Sequence, residues 1–139
     1  MGKQRWHELE VTPGFFDVDP LAVVWHGNYV KYFELARSAL LAKLGYGYFD
    51  MVRSGYSWPV VDMRLKFVRP AGLEQLLKVR VEVVEWESRL KLEYRVTDAA
   101  TGTKLTTGYT IQVAVEMKTG ELQYVCPRVL WDALGVQPP

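Results

Sequence analysis

Two carboxylates, Asp17 and Asp19, stand two residues apart in the stretch Phe-Phe-Asp-Val-Asp-Pro-Leu-Ala-Val-Val-Trp-His-Gly-Asn-Tyr, which runs from Phe15 to Tyr29. An acid in this setting can attack a carbonyl carbon directly or draw a proton from water. Asp19 precedes Pro20, which keeps its backbone extended and out of a continuing helix. Just downstream the residue pattern turns helical, and a helix N-terminus offers amide N–H groups without intrahelical partners and the positive end of the helix dipole. A carbonyl oxygen seated there is polarised as in an oxyanion site, where one donor is worth about 3 kcal/mol. Taken alone, Asp-x-Asp-Pro is also ordinary turn chemistry.

The elements that must position these acids follow from periodicity. From Asn28 to Leu44, Val30, Phe33, Ala36 or Arg37, Leu40 and Leu44 recur at helical spacing, with Lys31, Glu34 and Ser38 on another face. Asn28 reads as the N-cap and Gly45 as the stop of a helix about 17 residues and roughly 25 Å long. The stretch Tyr48 to Gly55 adds a short second helix. Trp6 and its neighbours, up to the turn at Pro13-Gly14, make a first strand.

Beyond Gly55 the period is two. Val61, Met63, Leu65 and Phe67 share a face, as do Leu77, Val79, Val81 and Val83, and then Leu90, Leu92, Tyr94 and Val96. In the last long segment Leu105, Thr107, Tyr109, Ile111, Val113 and Val115 read as the apolar face. Such alternation implies an antiparallel sheet with one buried and one wetter face, joined by short hairpins. The tail from Pro127 to Gly135 reads as one or two helical turns. The expected class is α+β: a curved antiparallel sheet of five or six strands wrapped around one long helix, because only that packing covers both apolar faces. Open sheet edges invite self-association, so a homodimer is the expected minimum.

The 139 residues suit one domain spanning 1–139, and the net charge of +1 gives no reason to expect a nucleic-acid or membrane partner. The lone Cys126 excludes an internal disulfide and a cysteine-rich zinc site, and reads as a small buried hydrophobe. His7 has no partner at metal-ligand spacing, and neither a metal nor a cofactor is expected. No apolar run approaches the roughly 20 residues of a membrane span. The polar opening, Met1 to Glu10, lacks the apolar core of a signal peptide and the residue pattern for myristoylation at Gly2. A cytoplasmic protein is expected.

The segment from Asp17 to Arg37 resembles the signature of the 4-hydroxybenzoyl-CoA thioesterase-like branch of the hotdog superfamily. That signature is an Asp-x-Asp, a small residue or proline, a Gly-Val-Val or similar, an aromatic, a His or Tyr, then x-Asn-Tyr. Asp17, Asp19, Pro20, Val23, Val24, Trp25, His26, Asn28 and Tyr29 occupy the matching positions, and the likeness continues through Glu34–Arg37 and the Phe67–Pro70 aromatic-x-x-Pro. It implies the hotdog fold and hydrolysis of an acyl-CoA thioester by a homodimer or homotetramer. Ala22 departs from the pattern, standing where the family often has glycine; its methyl either narrows the acyl approach or is harmless.

The resemblance gives Asp19 the catalytic carboxylate role, as nucleophile or general base, and places His26 beside it, through its backbone N–H more than its ring. Asp17, Trp25, Asn28 and Tyr29 are the substrate-side candidates, with Asp17 orienting the loop and Asn28 capping the helix. Arg89 and Lys91 are candidates for the coenzyme phosphates, ahead of Arg64, Lys66 and Arg69; cross-strand pairing with Glu82 and Glu93 is the competing role for these cations. An Asp-x-Asp phosphotransferase would need a parallel sheet and a separate lysine. A hotdog dehydratase would need its acid elsewhere. The remaining alternative is a non-catalytic hotdog protein that binds acyl-CoA or only assembles.

Overall fold

The computed structural model describes residues 3–138; Met1 and Gly2, and with them the reading at Gly2, lie outside the described residues. In chain order the elements are β1 (Trp6–Val11), a 3-10 turn (Phe15–Asp17), α1 (Asn28–Lys43), α2 (Tyr48–Ser54), β2 (Tyr56–Ser57), β3 (Val60–Phe67), β4 (Leu77–Glu85), β5 (Leu90–Asp98), β6 (Lys104–Gln112), β7 (Val115–Glu116) and α3 (Arg128–Leu134). Five strands form one antiparallel sheet in the order β1-β4-β5-β6-β3, and β2 pairs with β7. The long helix α1 lies across β1 and β4. This is the hotdog arrangement.

The helix buries Tyr29, Tyr32, Phe33, Ala36, Leu40 and Leu41. Opposite them stand Leu77, Val79, Val81 and Val83 of β4 and Leu90, Leu92, Tyr94 and Val96 of β5, all buried. Gly55 and Gly135 end the two short helices at φ 88° and 71°, values that glycine takes without a Cβ penalty. Cys126 is buried as expected, and burial pushes its thiol up to about 11.

Three local readings need correction. Gly27, not Asn28, is the N-cap of α1, and no side chain caps that end. Asn28 is the first helical residue, and its side chain is used elsewhere. The β6 face is reversed in part: Thr106, Thr110 and Gln112 stand in register with Val96, Leu92 and Leu90 and are buried, whereas Tyr109 lies opposite Glu93 on the outer face, although Leu105 and Ile111 are buried as expected. The concave side of β6 is selected for room and hydrogen bonding rather than apolarity. Tyr94 and Thr110 bond through their hydroxyls at 2.7 Å, and the Phe33 ring stacks on Tyr94 at 4.2 Å with 5° between planes. The third concerns β3. Met63, Leu65 and Phe67 do face inward, in register with Thr110, Gly108 and Thr106, but Met63 and Leu65 are only half-buried and Phe67 is exposed. This strand is an edge whose inner face is only partly covered, Leu65 packing against the core and Phe67 meeting Tyr29 and His26.

Gly108 is where the helix comes closest to β6. A Cβ there would collide with the Arg64 carbonyl and come within 2.8 Å of Phe33 Cε2. Gly108→Ala should therefore lower the unfolding free energy by about 1–3 kcal/mol, the usual cost of overpacking. Urea denaturation measures this; an unchanged midpoint would show that Phe33 does not rest on β6.

Candidate active site

Residues 17–25 form a small hairpin hung between the 3-10 turn and α1. The Trp25 amide donates to the Asp17 carbonyl at 3.0 Å and the Asp19 amide to the Val23 carbonyl at 2.9 Å, with Val18 bridging Val24. Pro20, Leu21 and Ala22 make the tip. Ala22 has φ 63°, a left-handed conformation that costs a residue with a Cβ about 1–2 kcal/mol. Its methyl is exposed at the turn, so the departure from glycine falls on the backbone. The hairpin is also tied to the segment before β4: Val24 donates to Ala71 at 2.8 Å, and Leu73 donates to Ala22 at 3.3 Å.

The Asp19 carboxylate is steered by its own turn. Oδ1 accepts the Leu21 amide at 2.8 Å and the Val23 amide at 3.4 Å. Oδ2 has no hydrogen-bond partner among the described residues, and the side chain is half-buried. One oxygen is fixed and the other is free, which suits a nucleophile or a general base. The far strand of the hairpin leads directly into the helix entrance. There the Asn28, Tyr29 and Val30 amides donate back into the chain, but those of His26 and Gly27 have no acceptor among the described residues. Two free donors thus stand at the positive end of a helix of 16 residues. The Trp25 indole lies across Gly27, where any Cβ would strike it.

Asp17 has a different task. Its carboxylate is buried, with a side chain only 7% exposed, and pairs with Lys31 at 3.0 Å while accepting the Gly14 amide at 2.9 Å. Burial pushes its pKa up, but the Gly14 amide and the Lys31 ammonium outweigh that and hold it below the usual carboxylate value. Asn28 Nδ2 donates to the Asp17 carbonyl at 2.7 Å. Asp17, Asn28 and Lys31 together lock the hairpin onto the first turn of α1. Tyr29 is buried, with its ring 5.7 Å from Phe67 and 5.9 Å from Tyr32. Burial and the nearby Asp17 push the Tyr32 phenol well up, so it stays protonated.

The structure therefore places Asp19 and Trp25 in one hairpin that leads into His26 and Asn28 at the helix entrance. Asp17 is buried at the hairpin's base and Tyr29 lies in the core. The His26 ring is exposed between Trp25, 5.0 Å away, and Phe67, 6.1 Å away. Arg89 and Lys91 are elsewhere. The hairpin is attached just before β4, whereas Arg89 follows it, and a strand of nine residues spans roughly 26 Å. Arg89 pairs with Glu85 at 2.8 Å, and the Lys91 ammonium lies over the Tyr109 ring at 4.7 Å; neither pairs with Glu82 or Glu93. Lys31 is a site residue that sequence reasoning misses, since it reads only as part of the polar helix face. Among the described residues no cluster of three or more His, Cys, Asp or Glu side chains is arranged to hold a metal, and no helix is long and apolar enough to cross a membrane.

Residues 13–133 match the family described as the Thioesterase-like superfamily. The chain belongs to that family, and it is a thioester hydrolase. It is 30% identical over 132 residues, 94% of its length and 80% of the relative's, to a Synechocystis sp. protein that carries an esterase name. Among solved structures it resembles DHNA-CoA thioesterase from Staphylococcus aureus, with a TM-score of 0.77 and 27% identity over 86% of this chain and 80% of that one. A 4-hydroxybenzoyl-CoA thioesterase bound to 4-hydroxybenzoyl-CoA shares the fold at a TM-score of 0.81 and 20% identity, covering 94% of this chain and 99% of that one.

The Asp17 lock has a definite pH signature. A carboxylate whose folded pKa is lowered stabilises the fold above its unfolded pKa, near 3.8, and loses that contribution as pH falls through the folded value. Lys31→Met removes the cation while burial remains, so the folded pKa rises. The acid-unfolding midpoint followed by circular dichroism should move to higher pH. A midpoint identical to wild type would mean that the Lys31 pair does not hold the hairpin.

Proposed function

We propose that the enzyme hydrolyses acyl-CoA thioesters, with Asp19 as the catalytic carboxylate and the free His26 and Gly27 amides as the seat of the thioester oxygen. The observation that carries this reading is the Asp19 carboxylate, anchored through Oδ1 and free at Oδ2, in the hairpin that runs into those amides. The staphylococcal and 4-hydroxybenzoyl enzymes act, by their names, on CoA thioesters, which supports coenzyme A as the leaving group.

Two routes fit. Asp19 attacks the carbonyl carbon, the carbon–sulfur bond breaks, and CoA leaves as thiolate; water then cleaves the mixed anhydride. Alternatively Asp19 takes a proton from a water that attacks the same carbon. Both end in free acid and thiol. No observation favours the binding-only alternative.

The reading includes a homodimer joined through β3, one domain per chain, and a cytoplasmic setting. Exposed apolar side chains gather at the two ends of β3. Phe15, Phe16, Leu21 and Trp25 lie at the Phe67 end, and Tyr48, Phe49 and Met117 at the Val60 end. Antiparallel pairing of two β3 strands sets one group against the other. It also carries the partner's Arg89 and Lys91 toward the Asp19 hairpin, where they serve the coenzyme phosphates. The acyl group then occupies a groove of about 360 Å³ lined by Leu41, Met51, Trp58 and Met117, with Glu34 and Arg37 also on its wall.

Asp19→Asn keeps the shape and removes the basic oxygen, so kcat should fall by at least about two decades while KM changes far less. Release of free thiol from a panel of acyl-CoA substrates is the assay. Asp17→Asn should lower stability more than turnover. If Asp17→Asn kills turnover in a folded protein and Asp19→Asn does not, the roles are reversed. For the assembly, light scattering should give at least a dimer, and a fully active monomer would overturn it.

A further inference from the structure

The Asp17 lock holds the hairpin from the helix side, and residues 71–75 hold it from the sheet side. Val23, whose amide reaches Asp19 Oδ1, bridges Gly72. The bond from Val24 to Ala71 and the bond from Leu73 to Ala22 flank that bridge. The supporting segment is itself strained. Glu74 takes φ 63°, a left-handed conformation uncommon for a residue with a Cβ, and Leu73 and Glu74 are both exposed. Backbone bonds hold this turn sparingly: the Gln75 amide donates to the Gly72 carbonyl at 3.3 Å, and the Glu74 amide to the Pro13 carbonyl at 3.0 Å.

One side chain closes it. Gln75 Oε1 accepts the Gly72 amide at 2.8 Å, and Gln75 Nε2 donates to Asp98 Oδ2 at 2.6 Å. Asp98 is fixed in its turn. It stands opposite Leu77 where β4 and β5 pair, and its Oδ1 accepts the Ala100 and Thr101 amides, each at 2.9 Å. The Gln75 bond and the turn amides hold its carboxyl below the usual carboxylate value, so at neutral pH it is ionised and can only accept. Gln75 must therefore present its NH₂ group to Asp98 and its oxygen to Gly72. A side-chain amide supplies that donor and that acceptor in one plane; neither a carboxylate nor a thioether of the same length does.

We infer that Gln75 and Asp98 are positioning residues for the reaction: they fix the 71–75 segment, and through it the hairpin that aims the Asp19 carboxylate. The connection runs without a break from Asp98, at the end of the sheet, through Gln75, Gly72 and Val23 to Asp19 Oδ1. A misplacement of about 1 Å in a reacting group costs on the order of 100-fold in rate, so a contact remote from the substrate can govern turnover. The inference rests on the Asp19 role proposed above; the bonds themselves do not.

Exchanging donor and acceptor between Gln75 and Asp98 tests the inference. Gln75→Glu alone sets two carboxylates together, and Asp98→Asn alone sets donor against donor. On the acyl-CoA that wild type cleaves fastest, each single variant should lower kcat about tenfold or more while KM stays within about twofold. The double exchange, Gln75→Glu with Asp98→Asn, again faces a donor with an acceptor, keeps the Gly72 bond and leaves the net charge unchanged. Its kcat should return to within about threefold of wild type. Gln75→Met breaks both bonds without bringing charges together, and should lower kcat likewise even where repulsion unfolds Gln75→Glu. Melting followed by circular dichroism accompanies each assay. Folded single variants that melt earlier but keep the wild-type kcat would show a part in stability alone and overturn the inference, as would a folded double variant that stays slow. Asp19→Asn, assayed beside them, separates the two readings. If it keeps turnover, the Asp19 role falls and the inference with it; if it alone is slow, only the inference falls.

Discussion

The site depends on one ion pair, between a buried carboxylate and a half-exposed ammonium. Asp17 sits where the chain leaves the 3-10 turn, and its carboxylate is removed from water, a costly state unless it is paired and hydrogen-bonded. Lys31 and the Gly14 amide supply that compensation. The Asp17 carbonyl takes the Trp25 amide and the Asn28 side chain as well. One residue thereby joins the end of the 3-10 turn, both strands of the hairpin and the first turn of α1. Asp19, two residues on, inherits its position from that junction. The pair of acids divides the work: one is committed to structure so that the other can keep an oxygen free.

Local costs concentrate around that free oxygen. The N-terminal end of α1 has no side-chain cap, and glycine in place of a capping side chain there costs roughly a few tenths of a kcal/mol. Ala22 is held at positive φ at the hairpin tip. Left-handed residues without glycine and uncapped helix ends persist where surrounding contacts over-determine them, and such outliers gather at functional sites. Here the contacts that over-determine them are those to Ala71 and Leu73 and the Asp17 lock. A cap side chain at position 27 would bond the Tyr29 or Val30 amide, but its Cβ would displace the Trp25 ring.

The parts of the fold that are legible in the sequence are those where burial alone selects the residues. The helix, the α2 stop at Gly55 and the inner faces of β4 and β5 read correctly because apolar periodicity and burial coincide there. β6 misleads because its inward Gly108 and Thr110 answer to the Phe33 and Tyr94 rings, and Gln112 to the Trp58 carbonyl, and not to hydrophobicity. Asn28 misleads because a good capping residue one position late finds a better acceptor in the Asp17 carbonyl. Lys31 is invisible because its partner lies 14 residues away, across a loop whose closure no local pattern encodes. Arg89 and Lys91 carry the charge that phosphates need, but distance along a strand separates them from Asp19 within one chain.

The geometry of the sheet explains why one chain leaves its concave side unfinished. A helix with its side chains is about 10–12 Å across, and strands lie about 4.8 Å apart, so a single helix covers little more than two of them. α1 covers β1 and β4, and Phe33 extends that cover to β5 and β6. Of β3, α1 touches the Phe67 end, through the Tyr29 ring. Met63, Leu65 and Phe67 therefore turn apolar side chains toward a space the chain does not fill, beside the helix entrance that holds His26 and Gly27. Filling it with the chain's own side chains would raise stability and close the approach to Asp19. A fold with one helix for five strands keeps that space open, and in the proposed dimer it is shared between the partner's apolar surface and the acyl group.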